Sequence, residues 1–205
     1  MREGVMVTDV NTPPENGALP GFAAHRRGWS RTRLVSITAL DPRLIALVRT
    51  IAATCNLTGG VQLAQFRIDA DPDVADYFSH NRIEADFFCY FFAHPDVRNA
   101  FPWMPAAQRE LLGFCRETGP EMTEVLERAV LDGGAYRSFP GSGADARKLV
   151  ADFGAAIGDR FATAGGWLSE EAWNPWFRDV AWDRSFFWFD RSTSVATVLL
   201  TTDTD

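Results

Sequence analysis

The chain has 205 residues, of which 46% are hydrophobic and 13% aromatic, enough to fill a core and to exclude wholesale disorder. Its net charge of −7 argues against nucleic acid or an anionic membrane as a partner, because both need clustered positive charge. No run of about 18 apolar residues suggests a membrane-spanning helix. Residues 1–5 lack the apolar core of a signal peptide, and three widely spaced cysteines are typical of reduced thiols. We therefore expect a cytoplasmic protein.

The first part of the chain predicts a tail followed by regular structure. Residues 1–28 carry many prolines and glycines without apolar periodicity, which predicts a flexible N-terminal tail ahead of a single domain at 29–205. Residues 33–38 read as a first strand. Asp41-Pro42 then begins a helix, with Asp as the N-cap and Pro at the first helical position. Residues 61–68 predict a second strand.

The middle of the chain reads as helical. Asp71-Pro72 begins a helix whose aromatic residues continue to His94-Pro95, which predicts one central core helix. Pro105 and Pro120 begin two further helices, and apolar spacing predicts a last long helix over 144–163. The run 141–146 matches the G-x-G-x-x-A pattern of dinucleotide-binding loops. Because no strand leads into it, we interpret it as an ordinary loop.

The C-terminal stretch from Trp167 to Asp205 holds five of the seven tryptophans. Aromatic residues 186–189 and β-branched residues 193–202, separated by a short polar turn, predict a hairpin. Its first strand carries apolar side chains on both faces. Strands at both ends of the chain with helices between them predict an α+β fold, in which a layer of about five helices packs on a small, mainly antiparallel sheet with a C-terminal hairpin. We expect strand 33–38 to pair with this hairpin.

The sequence contains few residue patterns that indicate catalysis or metal binding. The three histidines, His25, His80 and His94, lack the spacing of zinc ligands, so we expect no metal and no cofactor. No catalytic motif is present, which argues against an enzyme and leaves the question of catalysis open. Cys55 falls at a helix end, where the negative end of the dipole raises the pKa of a thiol. Asp183-Arg184-Ser185 and Asp190-Arg191-Ser192 bracket the first hairpin strand and could place carboxylates beside an aromatic cleft.

A binding surface is predicted around Asn174-Pro175, which forces a turn and hence surface exposure. Trp176 follows the proline and is the tryptophan we expect to be partly exposed. The full predicted surface consists of Trp173, Trp176, Phe177, Arg178, Asp179 and Asp183.

Two functions from different classes remain open. The first is a protein-binding function, immunity- or antitoxin-like, that uses this acidic, tryptophan-rich surface, because tryptophan and arginine often anchor interfaces. The alternative is a small-molecule enzyme or ligand-binding protein with an aromatic pocket, in which Asp179, Asp183 or His94 supplies the polar group.

Overall fold

A computed structural model describes residues 22–79, 83, 85–103, 112–158 and 161–203. None of the helices in these ranges is long and apolar enough to cross a membrane. The helices and strands follow in the order α1 (Phe22–Trp29), β1 (Arg33–Ser36), α2 (Pro42–Ala52), β2 (Gly60–Asp69), α3 (Pro72–Ser79), α4 (Ala85–Ala93), α5 (Pro95–Ala100), β3 (Cys115–Glu117), α6 (Gly119–Asp132), α7 (Gly143–Ile157), α8 (Phe161–Ala164), β4 (Gly166–Ser169), β5 (Arg184–Asp190) and β6 (Val195–Thr202).

The six strands form one antiparallel sheet in the order β1-β2-β6-β5-β4-β3. β5 and β6 are a hairpin in register from Arg184 opposite Thr201 to Asp190 opposite Val195. The α+β class is confirmed, and β5 and β6 match the predicted hairpin strands 186–189 and 193–202 roughly. The pairing expected for β1 is wrong, because the longer β2 occupies the free side of the hairpin along β6 and leaves β1 only the outer edge of β2.

Helices cover both faces of the sheet, rather than one face as expected. On one face, Phe87, Phe88 and Phe91 of α4 meet the ring of Phe187 at centroid distances of 5.6, 5.2 and 5.3 Å. On the other face, α2, α6 and α7 cover a second core that includes the stacked pair Phe186 and Trp188. Since β5 carries large apolar side chains on both sides, each side needs a cover of its own.

One of the predicted helices is wrong, and so is the end of a second. The single core helix predicted from Asp71 onwards is divided into α3 and α4; of residues 80–84, which separate them, only Ile83 is described. The helix predicted from Pro105 falls partly on residues 104–111, outside the described ranges, and its end is the strand β3. β3 pairs with β4 through only three residue pairs, too few to show a strand periodicity in the sequence.

α7 begins and ends at identifiable signals. Ser142 caps its N-terminus in a reciprocal capping box with Asp145, which accounts for the glycine-rich run without a dinucleotide. The helix ends at Gly158, whose φ of 153° is open mainly to glycine. The predicted helix 144–163 therefore stops early, and α8 follows as a separate turn.

The N-terminal region is described only from α1 onwards. Trp29 at the end of α1 is 4% exposed, and its ring lies 5.2 Å from that of Phe87. Residues 1–21, most of the predicted tail, lie outside the described ranges. The tail and its boundary at residue 28 stay a prediction.

Candidate functional site

The predicted binding residues divide into buried and exposed ones. Trp173 and Phe177 are 7% and 4% exposed and belong to the aromatic core on the α4 side of the sheet. Trp173 Nε1 also donates a hydrogen bond to Ser185 Oγ at 2.8 Å. These two rings hold the fold together and lie out of reach of a partner.

Asp183 is buried as well, and it closes the turn that precedes β5. Its Oδ2 accepts hydrogen bonds from the backbone N–H groups of Arg178 at 3.0 Å and Val180 at 3.1 Å. Its Oδ1 accepts a 2.5 Å hydrogen bond from Thr202 Oγ1 on β6. A buried carboxylate with three protein donors is a structural group, because its hydrogen bonds hold the turn before β5 on β6.

Trp176, Arg178 and Asp179 are the predicted residues that reach the surface. Trp176 is half-buried, as expected, and its ring stacks on Trp103 at a centroid distance of 4.7 Å. Arg178 and Asp179 are exposed beside it. Asp179 has a φ of 59°, a left-handed conformation that aspartate tolerates better than most residues.

His94, the polar group of the alternative hypothesis, caps α5. Its Nδ1 accepts a hydrogen bond from the backbone N–H of Asp96 at 3.3 Å, and its Nε2 lies 3.2 Å from the carbonyl oxygen of Thr32. Nδ1 thus caps α5, and Nε2 joins the start of this helix to the segment before β1.

A cleft opens at the far end of β5. Trp167 of β4 lies opposite Phe187, so Phe189 and Asp190 extend beyond the start of β4 and leave space there. The cleft has a volume of about 310 Å³, near the lower limit for small-molecule sites. We call it the β5 cleft; it is lined by Arg116, Ile157, Gly158, Phe161, Ala164, Gly165, Trp167, Trp188, Phe189, Asp190, Arg191 and Ser192.

The aromatic walls of the β5 cleft come from both cores. The Arg116 guanidinium lies 5.5 Å from the centroid of the Trp167 ring, a cation–π arrangement, and donates to the carbonyl oxygen of Ala164 at 3.4 Å. Phe189, on the same face of the sheet as Trp167, stacks on Phe78 at a centroid distance of 4.1 Å. The walls are therefore braced by neighbouring side chains, which favours a cleft that keeps its shape.

Trp188 is the unusual group of the β5 cleft. It is 2% exposed and packs against Phe153 and Phe161 at 5.5 and 5.6 Å. Its Nε1 is buried and has no hydrogen-bond partner among the described residues. A buried indole N–H usually finds an acceptor, and leaving it unpaired costs about 1–3 kcal/mol. A ligand acceptor would remove that cost.

Asp190 is held at the rim by the hairpin turn. Its Oδ1 accepts hydrogen bonds from Ser192 N at 2.9 Å and Ser192 Oγ at 2.8 Å, and its Oδ2 accepts one from Thr193 Oγ1 at 2.7 Å. Partial burial works to raise the pKa of this carboxyl, but the hydrogen bonds from Thr193 and Ser192 outweigh it and the pKa is lowered. Asp190 is therefore an ionised turn residue at neutral pH.

Other chemistry has little support within the described ranges. There, no group of three or more His, Cys, Asp or Glu side chains is placed to hold a metal ion. Burial, with a smaller contribution from Asp203, raises the pKa of the Cys55 thiol to about 11. The direction expected for Cys55 is confirmed, although burial rather than the helix dipole is its main cause, and so protonated a thiol is a poor nucleophile.

The sequence pointed to only part of this cleft. Asp190, Arg191 and Ser192 were noted as a bracket of the hairpin strand, but Arg116, Gly158 and Phe161 come from segments far away in the chain. Their approach depends on β3 pairing with β4 and on α7 ending at Gly158. Arg116 can be recognised as a residue of this cleft only once β3 is known to be the edge strand that pairs with β4.

No protein-family model matches the chain, and neither the curated proteins nor the solved structures include a detectably similar one. The site must therefore be interpreted from its own geometry.

Proposed function

We propose that the protein binds a small organic molecule in the β5 cleft. The observation that carries the proposal is the aromatic β5 cleft itself, which is lined by Trp188, a residue whose buried Nε1 has no acceptor among the described residues. A second cavity, beside Asp203, has a volume of only about 10 Å³, room for one water molecule. Of these two cavities, only the β5 cleft has room for an organic ligand.

The proposal assigns binding rather than catalysis. Among the described lining residues, Asp190 and Ser192 are the side chains able to act as a base or a nucleophile, and they are hydrogen-bonded to each other. The cleft instead offers flat apolar walls and N–H donors, which is the usual composition of a ligand site.

The test is a calorimetric titration with two aromatic probes, 2-naphthoate and neutral 2-naphthylmethanol. At least one should bind with one-to-one stoichiometry. Ala164→Trp places an indole at the cleft, because Ala164 lines it and is exposed, and should weaken binding by at least about tenfold. The matched control is Ala151→Trp on the exposed side of α7, which should bind like the wild type. Failure of both probes to bind, or normal binding by Ala164→Trp, would overturn the proposal.

A protein-binding function is the second candidate, and one observation favours it. Trp176 and Trp103 form a stacked, half-buried pair with Arg178 and Asp179 exposed beside Trp176, and tryptophan and arginine are frequent interface anchors. The partner would be another protein, bound as by an immunity protein or antitoxin. Cys55, Cys89 and Cys115 form no disulfide, which fits a reducing compartment and supports a cytoplasmic location.

This second candidate is tested by pull-down from a native lysate with two variants. Trp176→Ala should abolish capture of a stoichiometric protein while the melting temperature stays close to that of the wild type. Tyr136→Ala is the control, because Tyr136 is 67% exposed and lies outside the predicted surface. Equal capture by the wild type and Trp176→Ala would remove Trp176 from the interface.

A further inference from the structure

The charged side chains that line the β5 cleft indicate the charge of its ligand. Its described charged lining residues are Arg116, Asp190 and Arg191. The Asp190 carboxylate already accepts three hydrogen bonds from the hairpin turn. Two arginines and one aspartate give the described lining a net positive charge of one, which favours an anionic group in the ligand.

Arg116 is placed to meet an anionic group. Its guanidinium lies over the Trp167 ring, and one of its N–H groups donates to the Ala164 carbonyl. A guanidinium has five N–H donors arranged to match a carboxylate. Hydrogen bonds between ionised partners are about twice as strong as neutral ones. An anion beside the ring of a bound aromatic molecule would thus be held in a fixed position.

Trp188 adds a hydrogen-bond donor, which also favours a ligand that carries an acceptor. An indole Nε1 can only donate. An ammonium group would find no acceptor at this indole, and the ionised Asp190 carboxylate is already hydrogen-bonded to Ser192 and Thr193. The net positive charge of the lining therefore favours an anion over a cation.

From these observations we infer that the β5 cleft selects flat aromatic anions, with a carboxylate or similar oxyanion contacted by Arg116 and an acceptor atom contacted by Trp188 Nε1. This inference rests on the proposed function and specifies its ligand class. The volume of about 310 Å³ limits the ligand to one or two fused rings with a short substituent.

The experiment compares three probes that share one ring: 2-naphthoate, 2-naphthylmethanol and 2-naphthylmethylammonium. Binding to the full chain is measured by calorimetry at pH 7. The anion should bind at least about tenfold more tightly than the alcohol, and the ammonium most weakly, because a charge-assisted contact is formed only by the anion. Arg116→Met keeps much of the length and apolar packing of the side chain and should reduce the preference for the anion to about twofold or less.

Arg147→Met is the matched control, because Arg147 is exposed and lies outside the cleft lining. It should keep the full preference of the wild type. Equal binding of 2-naphthoate and 2-naphthylmethanol, both lost in Ala164→Trp, would overturn the anion preference but keep the cleft as a binding site. An equal loss of preference in Arg147→Met would show that the overall charge, and not Arg116, selects the ligand. If none of the probes binds, the proposed function itself fails.

Discussion

Two buried polar side chains, one just before β5 and one within it, differ in their hydrogen bonding. In the turn before the strand, Asp183 is 2% exposed and has three protein donors for its carboxylate. Near the end of the strand, Trp188 is equally buried, but its Nε1 has no acceptor among the described residues. Two equally buried groups close in the chain thus differ in whether the protein supplies their partners.

This contrast separates a structural role from a functional one. A buried polar group with all its partners in the protein stabilises the fold and has nothing left to offer a ligand. A buried donor without a partner costs stability, and such a cost is tolerated most often where function needs the group. Substitutions at and near these two residues test whether their roles differ in this way.

The largest effect should come from Asp183→Ala. The substitution removes the carboxylate that accepts hydrogen bonds from the backbone N–H groups of Arg178 and Val180 and from the hydroxyl of Thr202. We expect the free energy of unfolding to fall by about 3 kcal/mol, measured by urea denaturation. The control is Asp179→Gly, which removes an exposed carboxylate and keeps the left-handed φ of 59° accessible. Equal losses in the two variants would refute the structural role of Asp183.

A pair of indole substitutions should give an intermediate effect. Trp173→Phe removes the donor to Ser185 Oγ and the bulk of one ring, so the free energy of unfolding should fall by about 2 kcal/mol. Trp188→Phe also loses bulk but removes an unpaired donor, so it should cost only about 1 kcal/mol. Binding of 2-naphthoate should weaken in Trp188→Phe and stay normal in Trp173→Phe. The opposite order in either measurement would reverse the roles assigned to the two rings.

The smallest effect concerns the rim carboxylate. Because the pKa of Asp190 is lowered by Ser192 and Thr193, its ionised form stabilises the fold above the unfolded-state value of about 4. That contribution is lost as the pH falls through the lower folded-state pKa. Asp190→Asn should therefore reduce the free energy of unfolding at pH 7 by less than about 1 kcal/mol, since the group is partly solvated. The gap between variant and wild type should narrow as the pH drops below about 4. A gap that widens there would contradict the lowered pKa.

Local signals explain what could be predicted from the sequence. Asp41-Pro42 marked the start of α2, and the aromatic run before Asp190 marked β5, because capping and β-propensity act within a few residues. The pairing of β2 with β6 was missed, since it joins residues more than 125 positions apart, and nothing local distinguishes it from the pairing expected for β1.

The site was harder to predict for a similar reason. Trp173, Phe177 and Asp183 looked like binding residues because aromatic and acidic side chains near a turn are often exposed. Their burial depends on α4 and on Thr202, which approach only in the folded chain. Sequence alone cannot tell whether a tryptophan N–H has an acceptor, so the difference between Trp173 and Trp188 was invisible before folding.

The most direct measurement is the response of the indole N–H groups to 2-naphthoate, followed by ¹⁵N–¹H correlation NMR. Signals are assigned by their loss in Trp188→Phe and Trp176→Phe. If the β5 cleft is the binding site, the Trp188 Nε1–H signal moves downfield on saturation, because it gains an acceptor, while the Trp176 signal stays in place. A shift of Trp176 with an unmoved Trp188 would contradict the account and place binding on the surface around Trp103 and Trp176.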